Sequence, residues 1–188
     1  MKQKLSKYIS RYVDFNTQEL DLFFNSLEVK KYKKKEYLVQ EGKVCKYKYF
    51  IIDGLTRTYN IDQKGNEKII QFGIENWWVT NIESFKNNSK SNHYIQALED
   101  TTTLRIKKEE LDMLYQKINK LERLFRLITE NWLIAIQRRN EFYLKLTSKE
   151  RYEMFVKAFP NFIQRVPQYM IASYLEITPE YLSALRAN

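Results

Sequence analysis

The sequence predicts an α+β chain: a compact antiparallel β-domain, then one long helix, then a small helical module built around a helix-turn-helix. Three observations carry that expectation. From Tyr32 to Ile106, short stretches rich in aromatic and β-branched residues alternate with turn signals; from near Asn119, apolar residues recur at three- and four-residue steps; and residues 147–188 hold all three prolines and no glycine. The boundaries expected are 1–117, 118–146 and 147–188.

Taken in order, Asn16-Thr17-Gln18-Glu19 opens a short amphipathic helix, because Asn16 can cap it, Glu19 can reach back, and Leu20, Phe23, Phe24 and Leu27 follow at helical spacing. Glu41-Gly42, Asp53-Gly54 and Asp62-Gln63-Lys64-Gly65-Asn66 are hairpin signals. They separate strands expected at Tyr49–Ile52, Leu55–Ile61, Glu67–Phe72, Tyr94–Leu98 and Thr101–Ile106, spaced as in a sandwich or barrel. The basic run Lys30-Lys31-Tyr32-Lys33-Lys34-Lys35 reads as a solvated surface strand or turn rather than a DNA patch. In the long helix, Leu121, Leu124, Phe125, Ile128, Trp132 and Ala135 form an apolar stripe longer than a small β-domain needs. That excess favours pairing with a second copy over packing wholly within the chain.

Composition excludes several classes. The longest apolar runs, such as Trp132 to Ile136, are too short to span a bilayer, and the basic N-terminus is followed by no apolar core or cleavage site, so a cytoplasmic protein without a membrane partner is expected. Cys45 and His93 are the lone cysteine and histidine, which excludes an internal disulfide, a Cys/His zinc site and a cysteine-ligated cluster within one chain. No metal is expected, and no enzyme: a Cys-His nucleophile pair has no supporting local signature, and a cupin-type site needs several histidines. The net charge of +9 suits a polyanion partner, yet residues 145–188 carry six cations against four carboxylates, so charge says little about their role.

Geometry says more. After Pro167, Gln168-Tyr169-Met170-Ile171-Ala172-Ser173-Tyr174-Leu175 places the small Ala172 where a second helix must approach, with Ile171 and Leu175 inward. Glu176-Ile177 makes the turn, Thr178 caps the next helix, Pro179 takes its first position, and Leu182 and Leu185 close the core. Glu176 occupies a turn position where glycine is commonest. The surface left for nucleic acid is Gln168 and Tyr169 on the backbone, with Thr178, Pro179, Glu180, Tyr181, Ser183 and Ala184 at the start of the reading helix and Arg186 near its end.

With glycine-punctuated strands, a long helix and a C-terminal helix-turn-helix in that order, the chain resembles the Crp/Fnr family of bacterial transcription regulators over nearly its whole length. The matching stretches are Glu36 to Gly42, Phe50 to Arg57 and, most specifically, Val166 to Arg186. The resemblance implies a jelly-roll-like β-roll that senses an effector, a homodimer joined through the long helix, and sequence-specific double-stranded DNA as partner. It admits RNA polymerase and an unidentified small-molecule effector as further partners. In the family's cyclic-nucleotide binders the phosphate is held by a Gly-Glu-Leu or Gly-Glu-Ile run, then an arginine and a small hydroxyl residue. Here Thr80-Asn81-Ile82 and Ser91-Asn92 stand at those positions, with Glu83 and Lys90 nearby as substitutes in a slipped register. The expectation is therefore no cofactor and no cyclic-nucleotide response. Many members continue into a β-wing; here either its phosphate contacts are missing or the native chain extends past Asn188. A second reading keeps a small-molecule-binding module whose helical tail contacts protein rather than DNA.

Overall fold

A side-chain cap written in the sequence fixes where the second helix starts. The computed structural model describes residues 1–187. Helix α1 (Lys2–Ile9) buries Leu5, Tyr8 and Ile9, and α2 (Thr17–Asn25) follows behind a capping box in which Asn16 and Glu19 exchange 2.8 Å bonds. The strands are β1 (Glu28–Tyr32), β2 (Tyr37–Val39), β3 (Tyr47–Asp53), β4 (Thr56–Ile61), β5 (Glu67–Gly73), β6 (Trp78–Val79), β7 (Tyr94–Ala97) and β8 (Thr101–Lys107), with α3 (Ile82–Asn87) between β6 and β7. They form two four-stranded antiparallel sheets, ordered β1-β8-β3-β6 and β2-β7-β4-β5. The expected α+β class and antiparallel β-domain are both present. The five expected strands are β3, β4, β5, β7 and β8; the others escape the pattern because β1 is an edge strand with four of its five residues exposed and β2 and β6 are very short. At the β3–β4 turn, Gly54 has φ +108°, and a Cβ there would come within 2.7 Å of the Thr101 backbone, so that hairpin requires glycine.

One face of β3 and β8 is covered by α1, α2, α4 (Lys108–Lys117) and the first half of α5 (Asn119–Lys145). Phe50 lies against Tyr8 and Trp78, and Phe125 against Phe23 and Trp78, with ring centroids 5.1–6.4 Å apart. Trp78 is thus core, whereas Trp77 is 42% exposed. Each such aromatic contributes roughly 1.5–3 kcal/mol on burial. This packing corrects the expected inter-chain seam. Leu121, Leu124 and Phe125 are buried in the chain's own core, and Ile128 packs against its edge. Trp132 and Ala135 reach the surface, and the Trp132 indole donates to Gln71 of β5. Trp132, 40% exposed, shares that surface with Leu133 51% and Ile134 43%, and Leu144, 86% exposed, lies further along α5.

A second core joins the β-domain to the C-terminal helices α6 (Ser148–Ala158), α7 (Phe162–Arg165), α8 (Gln168–Leu175) and α9 (Pro179–Ala187). Leu55, Tyr59, Ile69 and Phe72 of the sheet region are buried together with Phe155, Val166, Met170, Ile171, Ala172, Leu175 and Leu182. The meeting point is the edge strand β5. Its register against β4 slips by one, since Thr58 pairs with Gln71 but Tyr59 with Ile69, which leaves Ile70 without a cross-strand partner. The open backbone is satisfied by helices instead: the Ser173 hydroxyl of α8 donates to Glu67 O at 3.1 Å and accepts from Ile69 N at 3.0 Å, and the Arg139 guanidinium of α5 donates to Ile70 O. Arg139 and the Tyr143 hydroxyl also donate to Tyr174 O of α8. On the other side of the module, Arg165 bridges Glu75 and Glu99 of two β-turns at 2.7 and 2.5 Å. Burial alone would raise the Glu75 carboxyl, but the hydrogen bonds and charge of Arg165 outweigh it and the net displacement is downward.

One cation in the first core lacks a carboxylate. Lys48 Nζ lies 4.6 Å from the Phe125 ring centroid and 5.5 Å from that of Phe85, and burial pushes its ammonium down to about 8. A lysine depressed in the folded state costs stability in full below that value, and the cost is relieved as pH climbs toward the unfolded value of about 10.4. Tyr49 and Tyr115, raised by burial, reverse the trend once unfolded tyrosine ionises near about 10. Unfolding free energy from urea titrations should therefore rise between about pH 8 and 9.5. Lys48→Met should flatten that rise and stabilise the protein by about 1–2 kcal/mol at pH 7.

Candidate functional site

The helix pair α8–α9 is built from the inside out. Ala172 is fully buried and has no bulk to hold α9 away, so Leu182, 1% exposed, joins Ile171 and Leu175 in one apolar contact. The turn takes the shape its length demands. Glu176 adopts a left-handed conformation, φ 56° and ψ 42°, and Ile177 N reaches back to Ala172 O at 3.0 Å, closing a Schellman-type cap. Ile177 packs against the same core. Thr178 Oγ1 then accepts from Tyr181 N at 3.2 Å, capping α9, whose first residue is Pro179. With the apolar side spent on the core, the remainder faces out. Gln168, Tyr169, Thr178, Pro179, Glu180, Tyr181, Ser183, Ala184 and Arg186 are all exposed. The N-terminal turn of α9, where Pro179 has no N–H and the Tyr181 amide is taken by Thr178, opens on that surface.

The expected effector positions divide into two groups. Asn81, 6% exposed, caps α3: its Oδ1 accepts from Ser84 N at 3.1 Å, and its Nδ2 donates to Ser91 Oγ at 2.9 Å and Asn92 Oδ1 at 3.1 Å and lies 3.2 Å from His93 Nδ1. Ser91, itself buried, donates to His93 O and accepts from His93 N. The structure thus joins Asn81, Ser91 and Asn92. It separates them from Ile82, Glu83 and Lys90, which are exposed, and from Thr80, whose hydroxyl turns to Tyr47 O. His93 is a member of this cluster that the sequence pattern did not point to. Burial lowers its imidazole from the ordinary value against the opposing charges of Glu83 and Glu41, which keeps the ring neutral at pH 7. The amides of Ser84 and Phe85 are both consumed by Asn81. Arg57, the buried arginine of β4, is committed elsewhere: it forks onto both carboxylate oxygens of Glu67, donates to Gln96 and stacks 4.1 Å over Tyr59. Chemically, the cassette region is a self-satisfied polar network. Two surface cavities, of about 350 and 460 Å³, lie respectively beside Lys107, where Phe85 and Asn88 at the far end of α3 help to line the wall, and beside Lys30.

Comparison with known proteins agrees with this architecture. Residues 29–118 match the cyclic nucleotide-binding domain family. No match to the sequence was found among curated proteins. In three dimensions the chain is similar to FixK2 from Bradyrhizobium japonicum, with a TM-score of 0.74 and 18% identity over 86% of this chain and 83% of that one. It is similar to the c-di-GMP-responsive global regulator CLP of Xanthomonas campestris, with a TM-score of 0.74 and 13% identity over 92% and 90% of the two chains. It is also similar to the catabolite activator protein of Thermus thermophilus, with a TM-score of 0.59 and 14% identity over 92% and 83%. Residues 29–118 therefore carry the cyclic nucleotide-binding fold, in an overall arrangement similar to that of these three proteins; at these identities the likeness is one of fold.

Two stability measurements follow from the local geometry. Asn81→Ala removes a helix cap and orphans buried partners, so it should cost about 2 kcal/mol in urea unfolding. Glu176→Gly relieves a side chain from the left-handed region and should raise unfolding free energy by up to about 1 kcal/mol in the same assay.

Proposed function

We propose that this chain is a homodimeric, sequence-specific DNA-binding transcription regulator of Crp/Fnr type, acting in the cytoplasm, whose effector cassette no longer takes a cyclic nucleotide. The observation that carries the reading is the α8–α9 pair itself: a capped, tightly turned helix pair whose expected base-reading and phosphate-contacting residues, from Gln168 to Arg186, all face solvent. Similarity to a global regulator and to a catabolite activator protein supports a regulatory rather than an enzymatic role. Among the described residues, no helix is long and apolar enough to cross a membrane.

A dimer is favoured by the exposed apolar face of α5. Leu133 and Leu144 are three turns apart on one side of the helix and are 51% and 86% exposed among the described residues. A second copy, paired α5 to α5, buries that face and presents two α9 helices to a two-fold symmetric operator, with half-sites about one DNA turn apart. Loss of cyclic-nucleotide binding is favoured by the Asn81–Ser91–Asn92–His93 network, which spends on itself the hydrogen bonds a phosphate would need. The exposed surface of the regulator leaves room for contact with RNA polymerase, and an effector of another chemistry would have to bind outside that network.

Selection from a random double-stranded DNA pool at physiological salt, with and without cAMP, tests the reading. A palindromic sequence should emerge equally in both, and Tyr181→Ala should weaken specific binding about tenfold while leaving weak non-specific binding in place. Leu133→Glu should convert the dimer to monomer in sedimentation and abolish operator binding. If no sequence is enriched, the helical tail is a protein-contact element and the regulator assignment fails.

A further inference from the structure

We infer that the edge strand β5 acts as a built-in latch: it holds α8–α9 in the DNA-reading orientation without any bound effector, through Ser173 on its open backbone and Arg139 at the unpaired Ile70. This rests on the reading of α9 as the DNA reader and names how that site is regulated.

A strand edge cannot be left dry and unpaired, because each buried amide or carbonyl without a partner carries a desolvation cost. In β5 the Ser173 hydroxyl does what a neighbouring strand would do, taking Ile69 N and Glu67 O, two residues apart on the same edge. The carbonyl of Ile70, displaced by the register slip, is taken by Arg139. That guanidinium also stacks 4.3 Å over the Tyr174 ring and donates to Tyr174 O, so one side chain on α5 ties the strand to α8. Arg165 closes the far side on Glu75 and Glu99. None of these bonds involves the cassette around Asn81. Ser173 and Arg139 hold α8 by its inner face and Arg165 holds the neighbouring α7, while the reading residues of α9 and the exposed side of α5 stay open. The contacts that set the orientation of α8–α9 thus come from the chain itself and leave both the expected reading residues and the apolar side of α5 open to partners.

The test uses the full-length protein and reads two quantities. Amide hydrogen exchange reports the latch alone. Ile69 N–H should be strongly protected in the wild type, should lose at least tenfold in protection in Ser173→Ala, and should keep it in Ser173→Thr, which retains the hydroxyl. Binding to the selected operator reports what the latch does. Without added effector, Ser173→Ala should weaken binding about tenfold with the preferred sequence unchanged, because only the fraction of correctly oriented reader falls. Arg165→Gln, remote from Ser173, should act in the same direction and guards against a purely local folding defect. Tighter operator binding by Ser173→Ala, or unchanged binding alongside lost protection, would overturn the inference. So would an Ile69 amide that exchanges equally fast in the wild type and in Ser173→Ala. If the wild type reads no DNA while Ile69 follows the expected exchange pattern, the DNA-reading assignment fails and the contact stands as structural only.

Discussion

The unpaired edge of β5 is the constraint on which the remaining architecture turns. A sheet ordered β2-β7-β4-β5 ends in a strand whose outward amides and carbonyls must find partners, and the register slip at Ile70 adds a carbonyl that no strand can reach. The chain answers with a serine on one helix and an arginine on another. Once those contacts form, the apolar surface of Leu55, Ile69 and Phe72 is brought against Met170, Ile171 and Leu175, and a second hydrophobic core condenses around the polar seam. The hydrogen bonds contribute modestly in net energy, but they set direction; apolar burial supplies the magnitude.

Much of this was legible in the residues, for reasons that can be stated one by one. Asn16 and Thr147 announce helices because a side-chain acceptor three residues before a glutamate is a self-contained device, needing nothing from the rest of the fold. The turn between α8 and α9 is similarly local: Ala172, Ile177 and Thr178-Pro179 specify it within a few residues, down to the left-handed Glu176. What local pattern does not state is which partner an apolar stripe will meet. Leu121, Leu124 and Phe125 recur at helical spacing whether they face another copy or their own sheet, and here the sheet claimed them. What is left for a neighbour lies further along the same helix, where Trp132 and Ala135 of the stripe are exposed together with Leu133. In the same way, Leu55, Tyr59 and Phe72 look like ordinary strand residues, and nothing in their alternation announces a helical module 100 residues downstream. The Asn81 cluster was half legible: Asn81 followed by Ser84 is a cap pattern, but the approach of His93 from the bend before β7 depends on tertiary folding.

The two polar centres of the β-domain behave differently, and the difference is instructive. Around Asn81 the buried polar side chains, Asn81 and Ser91, are consumed by their neighbours, so the region has the character of a filled socket. Around Ser173 and Arg139 the polar groups reach between elements that are distant in sequence and hold them in register. On the proposed reading, the roll has exchanged reception for posture: its former input has become a structural knot, while its contact with the output remains in use.

The second core has a consequence for inheritance. A reading head that owned its interior could be shuffled between proteins by recombination at the loop after α5, as an independent cassette of about forty residues. Here, among the described residues, four of the eleven buried in that interior, Leu55, Tyr59, Ile69 and Phe72, are encoded far upstream. A crossover between the two halves would part residues that share one packed space, so the sheet and the helices are bound to diverge together. Drift in Phe72 asks for an answering change in Phe162 or Tyr174, whose rings it touches. The unit on which selection acts is the joint, not the domain.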